Sequence, residues 1–396
     1  MQSKDIIDVL ESKEAVSFIR AHINDNVSKL SLRFSGNVNF NITVCLQLMS
    51  LYKKVQKKIP FFYDNLLALD QRSYEQCTSS EVAKYKSSFI SGSSILDITG
   101  GLGIDSIFLA NGFSDTTVVE RNKELHDLAC YNVKKLGFTT IHRVHGNGLD
   151  YLNDYYDWIY IDPDRRKESK RNVVLENLEP NILELIPKLR KACNFTYLKL
   201  SPLYDLSEVW RCFEDVKEIH IVAEKGEIKE VGVLLDFKNK WLNPSIILKE
   251  VTTNFLEVIS RSNCDSKLLE YYDSDDTRNV LIPTALIAKS RSEKYFLRAI
   301  NVKKHYAFNL YFSNEDEVKG FRSFRILERT TNLSVKRIKE ILRVKGISQV
   351  NLVVKGLRDN PEIWHKKLKT RDGGCYYLFI LKSKKSESYL CEFISS

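Results

Sequence analysis

The stretch "SSILDITGGLGIDSIFLA" (residues 93–110) decides how this chain folds. An apolar run enters three glycines within four positions, Gly100, Gly101 and Gly103, and leaves as an amphipathic segment. The whole chain has only 16 glycines in 396 residues, so three at one strand end answer a local need. Glycine permits positive φ and lets another group come close to the backbone. A helix that starts just beyond offers N–H groups with no partner inside the helix. Strand, glycine turn and helix together read as a cofactor cradle, written here Asp97-Ile98-Thr99-Gly100-Gly101-Leu102-Gly103-Ile104-Asp105. A dinucleotide fingerprint needs G-x-G-x-x-G. Counted from Gly101, the third glycine position is Ser106, and Asp105 sets a negative charge where a pyrophosphate would lie. A ligand with a cationic end fits better, and Asp97 answers it.

Outward from this stretch, β-rich and helical runs alternate up to about residue 238. The expected strands are "SILDIT", "TTVVER", "TIHRVHG", "WIYIDP", "FTYLKLSP", "EIHIVAE" and "VGVLLDF". Helical segments separate the first five, which predicts a parallel sheet with crossovers. The last two flank the short "KGEIKE" and predict an antiparallel hairpin, unlike the six-parallel dehydrogenase sheet. Ligands of such sheets bind beyond the carboxyl ends of the strands. The second strand ends in Glu120, whose carboxylate can accept from two ribose hydroxyls. The third ends in "HGNGLD", where Asn147 suits an adenine edge, and the fourth in "IYIDPDRR". Singly, Glu120 suits NAD equally well and Asn147-Gly148 is ordinary turn chemistry. In order on consecutive strands, the tips predict S-adenosylmethionine, with its sulfonium and ammonium. Asp97, Thr99, Gly101, Gly103, Asp105, Glu120 and Asn147 are the expected contacts.

With 43% hydrophobic and 28% charged residues, the chain reads as soluble and globular. No apolar run approaches a membrane span, and "MQSKDIIDVLESKEAVSFIR" lacks a signal core. Cysteines at 45, 77, 130, 193, 212, 264, 375 and 391 form no C-x-x-C pair, so reduced thiols and a cytoplasmic setting are expected. His142 and His145 point to opposite faces of a predicted strand, and no metal is expected. The net charge is +9, and residues 321–396 hold 17 Lys plus Arg against 7 Asp plus Glu. The rest of the chain is therefore near neutral. A basic end on a neutral body predicts an anionic partner such as RNA. That end reads β-α-β-α-β, with Ser334 capping and Gly346 ending "LSVKRIKEILRVKG". Lys336, Arg337, Lys339 and Arg343 share its polar side and are the candidate RNA contacts. The expected domains are a helical region 1–90, the α/β domain 91–238, a segment 239–320 and the basic domain 321–396.

"LDITGGLGIDS", "VVERN" and "YIDPDRR" resemble the class I S-adenosylmethionine-dependent methyltransferases. More narrowly, "QCTSSEVAKYK", "KLSPLYDL", "RSFRIL", "KRIKEILRVKGI", "VNLVVKG" and "KLKTRDGGCYYLFI" resemble a family with a THUMP-like domain at its C-terminus. The resemblance spans residues 70–390 or so. It implies a Rossmann-like sheet, a ferredoxin-like insert around 275–320 and a tail akin to domains that bind RNA elsewhere. It also implies that Thr78, Ser79 and Tyr85 line the cofactor cleft. Methyltransferases of exocyclic base amines resemble the Asp162-Pro163 corner, with (Asp/Asn)-Pro-Pro-aromatic at this tip. Here Asp164 stands for the second proline and Arg165 for the aromatic, so the target atom is left open. Asp162, Pro163 and Arg165 are the candidate catalytic residues. Arg165 and Arg166 either stack on a base or grip phosphate, or close ion pairs with Asp164 or Glu168. Carbon-5 pyrimidine methylation needs a cysteine near the fifth strand's end, and that place reads "YLKLSP", with Cys193 at the strand's start. The expected function is methylation of RNA, tRNA or rRNA, with a base nitrogen favoured. The rivals are a methyltransferase of a protein or small molecule and a non-enzymatic RNA-binding protein that keeps the nucleoside as a structural ligand.

Overall fold

The computed structural model describes residues 2–34, 36, 38–165, 174–265, 270–271, 277–331 and 333–395. The chain forms two units, Met1–Leu256 and Glu257–Ser396.

The first unit opens with helices α1 (Ser3–Glu11), α2 (Lys13–His22), α3 (Val27–Phe34), α4 (Ile42–Lys58), α5 (Pro60–Asp64), α6 (Gln71–Gln76) and α7 (Ser80–Ser87). In α4, Cys45, Leu48, Met49, Tyr52 and Val55 recur at helical spacing and are all fully buried, the stripe that an amphipathic helix turns to a core. Asn41 caps it, its side chain accepting from Val44 N at 3.2 Å. These helices do not form a separate domain, as a 1–90 boundary would have it. Their apolar faces share one core with Leu102 and Ile104 of the glycine turn and with Leu128. Helix α9 (Lys123–Leu136), which follows α8 (Ile104–Leu109), supplies Leu128 and Asn132. Asn132 is wholly buried; its side chain accepts from Ala68 N at 2.7 Å and donates to Ala68 O at 2.8 Å.

The strands of this unit are β1 (Gly92–Asp97), β2 (Phe113–Glu120), β3 (Ile141–His145), β4 (Tyr156–Ile161), the short pair β5 (Asp164–Arg165) and β6 (Leu178–Glu179), β7 (Cys193–Leu200), β8 (Val216–Glu224), β9 (Glu227–Asp236) and β10 (Ser245–Glu250), and β11 (Leu256–Ser260) starts at the unit's last residue. Helices α10 (Ile182–Ala192) and α11 (Leu206–Cys212) fill two crossovers. The sheet order is β11-β10-β8-β9-β7-β4-β1-β2-β3. Strands β3, β2, β1, β4 and β7 are parallel, and β9 runs antiparallel between β7 and β8. Five parallel strands and a hairpin are as expected. The sheet does not stop at 238, however, because β10 adds in parallel to β8. A lone hairpin at the sheet edge would leave β8 unpaired on one side, and the buried Ile246, Ile247 and Leu248 cover it.

In the second unit, β12 (Glu270–Tyr271), β13 (Asn279–Pro283), β14 (Val302–Lys304), β15 (Tyr311–Ser313), β16 (Phe321–Thr330), β17 (Asn351–Lys355), β18 (Tyr376–Lys382) and β19 (Ser386–Ser395) form one sheet ordered β12-β14-β15-β13-β16-β19-β18-β17. Helices α12 (Ala285–Ser290), α13 (Glu293–Leu297), α14 (Val335–Val344) and α15 (Pro361–Leu368) complete it. Strand β16, which opens the expected basic domain, pairs with β13 on one side and with β19 on the other, so one sheet runs through both sides of residue 321. Phe312, Phe324 and Phe379 from both halves share a core. Strand β19, unread in the sequence, carries polar and apolar residues in no clean alternation. Ser334 caps α14 and Gly346 follows its end at φ +67, as expected. Among the described residues, no helix is long and apolar enough to cross a membrane.

The Asn132 amide is the fully buried member of several polar links between the helical region and α9. Asn132→Leu strands two buried backbone groups at Ala68, each costing about 1–3 kcal/mol. A fall of roughly 2–4 kcal/mol in unfolding free energy is expected, read from the urea midpoint of the Met1–Leu256 unit's transition.

Candidate functional site

The register sets the strand ends side by side: Asp97 pairs with Val118 and Tyr160, Glu120 with His145, and Ile161 with Leu198. The turn after β1 is built onto β2. Gly100 N donates to Val119 O at 2.9 Å, and a Cβ at Gly100 would stand 2.6 Å from Val118 Cγ1 and 3.0 Å from Val119 O. Gly100 is therefore required by packing. Gly101 and Gly103 have φ of +50 and +84, the left-handed region that favours glycine. A Cβ at Gly101 would meet nothing nearer than Thr99 O at 3.8 Å, so the outer side of the turn is open at that residue. Arg143 of β3 supports the turn from the other side, donating to Gly101 O at 2.8 Å and Gly100 O at 3.5 Å.

Each tip residue is already oriented by the turn. Glu120 accepts from Gly101 N and Asn122 N, both at 2.7 Å. One bond to each carboxylate oxygen leaves further acceptor positions for hydroxyl donors. Asp97 is 3% exposed; it accepts from Thr99 N at 2.9 Å, from Thr99 Oγ1 at 3.2 Å and from the Ser106 hydroxyl. Ser106, the position where a dinucleotide fingerprint wants glycine, thus ties the helix start to β1. Burial pushes the Asp97 carboxyl up to about 6, against the lowering pull of the Ser106 and Thr99 hydrogen bonds.

Beneath the turn lies a cluster of buried charge that sequence reading missed. Lys86 of α7 is fully buried. Its Nζ stands 2.7 Å from Glu230 Oε2, 2.8 Å from Asp105 Oδ1 and 3.3 Å from the Tyr160 hydroxyl. Asp105 Oδ2 accepts from Thr78 Oγ1 at 2.7 Å and from the Tyr160 hydroxyl at 2.9 Å. Lys199 of β7 bridges outward, with Nζ 2.9 Å from Thr78 Oγ1, 3.7 Å from Asp105 Oδ2 and 2.6 Å from Asp162 Oδ2. Burial alone would raise the Asp105 carboxyl; Lys86, Lys199 and the Thr78 hydroxyl overcome it and hold the group well below the usual carboxylate range. Burial likewise opposes charge on Lys199, but Asp162, Asp105 and Glu230 raise it above the ordinary lysine value. Asp162, a third exposed, is the member of the cluster that faces outward, and its N–H donates to Thr99 Oγ1 at 2.7 Å.

Several expected roles are therefore reassigned. Asp105 does not present charge at the helix start; it turns inward onto two lysines. In the cluster as a whole Lys86 and Lys199 face three carboxylates, Asp105, Glu230 and Asp162. Thr78 is part of this cluster. Ser79 caps α7 by accepting from Val82 N at 3.4 Å, and Tyr85 turns to His220 Nδ1 at 2.8 Å on β8. Asn147 is exposed and its side-chain carbonyl caps the next turn at Leu149 N, 3.2 Å away. Gly148 packs on β1's end, since a Cβ there would lie 2.4 Å from Ile98 O. Pro163 follows Asp162 into β5, where Arg165 pairs with Leu178 through the backbone. The Arg165 side chain, Arg166 and Glu168 lie outside the described residues. Cys193 is buried at the start of β7 and its thiol is pushed up to about 12 by burial, so Cys193 offers no thiolate to this site. In α14, Lys336, Arg337 and Arg343 are exposed and Lys339 half-buried, with Arg337 3.2 Å from Glu340. No group of metal ligands occurs among the described residues.

Lys199 was legible in principle. A lysine inside the strand "FTYLKL" contradicts the apolar run of a central parallel strand, and a buried cation needs a paired anion. Lys86, on a helix written "SEVAKYKS", resembles any solvated lysine.

Comparison with known proteins agrees with this geometry. Residues 321–392 match the family described as THUMP domain-like. A curated relative, an uncharacterized RNA methyltransferase of Mycoplasma mobile, is 31% identical over 99 residues; the match covers 24% of each chain, so this chain spans about a quarter of that relative's length. A crystal structure from Porphyromonas gingivalis W83, described as a methyltransferase, is 24% identical, covers 99% of both chains and superposes with a TM-score of 0.83. The chain thus shares the fold of that structure over its whole length, with a THUMP-like segment at its C-terminal end.

Removing one partner from a buried ion cluster costs about 3–5 kcal/mol, because the others are left uncompensated. Lys86→Met is expected to lower stability by about that amount. The double variant Lys86→Met/Glu230→Gln should recover part of the loss, as read from paired urea titrations.

Proposed function

We propose that this chain transfers a methyl group from S-adenosylmethionine to RNA, at an acceptor oriented by Asp162. The observation that carries the reading is the row of strand ends at β1, β2 and β4. There an open glycine turn, an acidic tip with spare acceptor positions and an anion-rich corner adjoin. The site's residues fit the cofactor. The open side of Gly101 admits a nucleoside against the backbone. Glu120 retains lone pairs for ribose hydroxyls, and Asp97 and the net negative cluster suit an ammonium and a sulfonium. When bound, the cofactor supplies a methyl group on a sulfonium, ready for attack by a lone pair.

The remaining chemistry belongs to the protein. Lys199, 2.6 Å from Asp162, holds that carboxylate in place. An ionised carboxylate only accepts hydrogen bonds, so it takes an N–H of the acceptor and turns the nitrogen lone pair toward the cofactor side. Holding both reactants in line can contribute about 7–11 kcal/mol to lowering the barrier. This favours an exocyclic base nitrogen, and the protonated Cys193 at the wrong end of β7 is consistent with it. The exposed cations of α14 and the surplus charge of residues 321–396 would hold the RNA backbone. The partial match to an RNA methyltransferase supports the same substrate class.

The test uses radiolabelled S-adenosylmethionine with total RNA from cells lacking this protein, followed by nucleoside mass spectrometry. Wild-type protein should label one nucleoside. Asp162→Ala should lower transfer by about 10²-fold or more while RNA affinity stays within twofold. RNA affinity should fall steeply between about 50 and 200 mM salt. Label only in protein or small molecules, with salt-independent RNA association, would overturn the reading.

Cofactor uptake should also depend on pH. A carboxyl raised to about 6 binds its proton more tightly folded than unfolded, so its share of stability is present at low pH and declines as pH rises from about 4 to 6. A cationic ligand prefers the ionised form. Affinity for S-adenosylmethionine should therefore rise with pH up to about 6 and flatten above it, with Asp97→Asn flat throughout. Calorimetry in buffers of different ionisation enthalpy measures the proton released below pH 6 or so.

A further inference from the structure

A second concavity lies in the Glu257–Ser396 unit, among residues that precede the THUMP-like match at 321–392. Its volume is about 550 Å³, within the range of roughly 300–1,000 Å³ usual for small-ligand sites. We infer that this cleft seats an unpaired nucleotide of the RNA, a base stacked on Tyr306 with its phosphates on Arg291, Lys294 and Lys304. The inference rests on the RNA reading above.

Charge comes first. Three cations, Arg291, Lys294 and Lys304, line the cleft beside one carboxylate, Glu293. Glu293 accepts from Asn309 Nδ2 at 3.0 Å with one of its two oxygens, and as one carboxylate it offsets one of the three cations. Among the described residues the cleft lining is thus net positive and suits an anion. The aromatic side then narrows which anion. Tyr306 is 36% exposed, large for an aromatic ring in a folded domain. Its ring lies flat on His305, with centroids 4.6 Å apart and planes 19° from parallel. Its hydroxyl bonds the Ser383 hydroxyl and accepts from Lys385 N at 3.1 Å. His305, 1% exposed, is fixed in turn: its Nδ1 accepts from Ala307 N at 3.0 Å and Phe308 N at 3.1 Å. Tyr306 is therefore a plate clamped at its hydroxyl end and backed by a second ring.

A clamped, partly exposed aromatic beside cations is the arrangement that binds single-stranded nucleic acid, where bases stack and phosphates meet the charge. A duplex keeps its bases stacked on one another and has none to offer. An acidic peptide would use the lysines and arginine but gain nothing from a plate held flat.

The experiment measures fluorescence anisotropy of full-length protein with a short labelled single-stranded RNA, the corresponding duplex, and a polyglutamate peptide. Tyr306→Ala should weaken single-strand binding by between about fivefold and a hundredfold, leave the salt slope unchanged, and scarcely alter duplex binding. Tyr306→Phe, which keeps the ring, should retain at least half of the affinity. Lys294→Glu with Lys304→Glu should weaken binding and lower the salt slope by about one for each phosphate no longer held; this pair keeps the test decisive where Tyr306→Ala unfolds, as judged by its melting midpoint. Single-strand binding unchanged in both the ring-deleted and charge-reversed proteins would overturn the cleft assignment while leaving the RNA reading intact. Tighter binding of polyglutamate than of RNA, abolished in the same variants, would overturn it in favour of a peptide partner. Absence of any RNA binding by the wild type would overturn both.

Discussion

The fully buried ammonium of Lys86 is the constraint on which the arrangement of the strand ends of the first unit depends. An unpaired cation at that depth is too costly to persist, so Asp105 and Glu230 must come to it. Asp105 can do so only if α8 begins where the glycine turn puts it, and Glu230 only if β9 lies between β7 and β8. Thr78 and Tyr160 complete the shell, and Lys199 transmits it to Asp162. One buried charge thereby fixes the relative placement of α7, α8, β4, β7 and β9. It is weak evidence for stability as such, since an apolar core of equal volume often serves as well. What the cluster supplies is position, together with a residual negative field at the strand ends.

The parts that sequence made legible were those with a periodic or steric signature. Strand-helix alternation predicted the parallel strands and the hairpin, because a period of two and a period near 3.6 leave different patterns. The glycine turn was visible because positive φ and close packing each select glycine, at Gly101 and Gly103 and at Gly100 respectively. Boundaries were less legible. Strand β10 continues the first sheet past 238, and β16 serves both halves of the second; both are long-range pairings that leave no local trace. The cluster was hidden for the same reason. Lys86 and Glu230 lie 144 residues apart, and only Lys199, a cation in an apolar strand, advertised its burial.

Asn147 and Asp105 teach a related lesson. Each stands at a strand or helix end where ligands gather, yet each has a local demand to meet first. Asn147 caps a turn and Asp105 neutralises lysines. Glu120 also has a local task, at Gly101 N and Asn122 N, but a carboxylate with two oxygens can meet it and still accept more. What differs between the two carboxylates is how many acceptor positions the neighbours already fill: Glu120 takes two N–H donors, whereas Asp105 takes two hydroxyls and faces two lysines.

The division of charge along the chain separates two tasks that obey different physics, with a near-neutral first 320 residues and a surplus of ten positive charges in the last 76. Phosphate contacts give affinity without sequence information, while selectivity requires contact with bases or shape. Charge on α14 can supply the first but cannot choose a nucleotide. On the proposed reading the choice comes from surfaces where an aromatic plate or a fixed carboxylate can meet an unstacked base, which are Tyr306 and Asp162. Both are held by neighbours that leave them little freedom, His305, Ser383 and Lys385 for one and Lys199 for the other. Rigidity at those two side chains, with exposed charge elsewhere, is the division of labour that the proposed function requires, loose binding through phosphates and a fixed geometry at the acceptor.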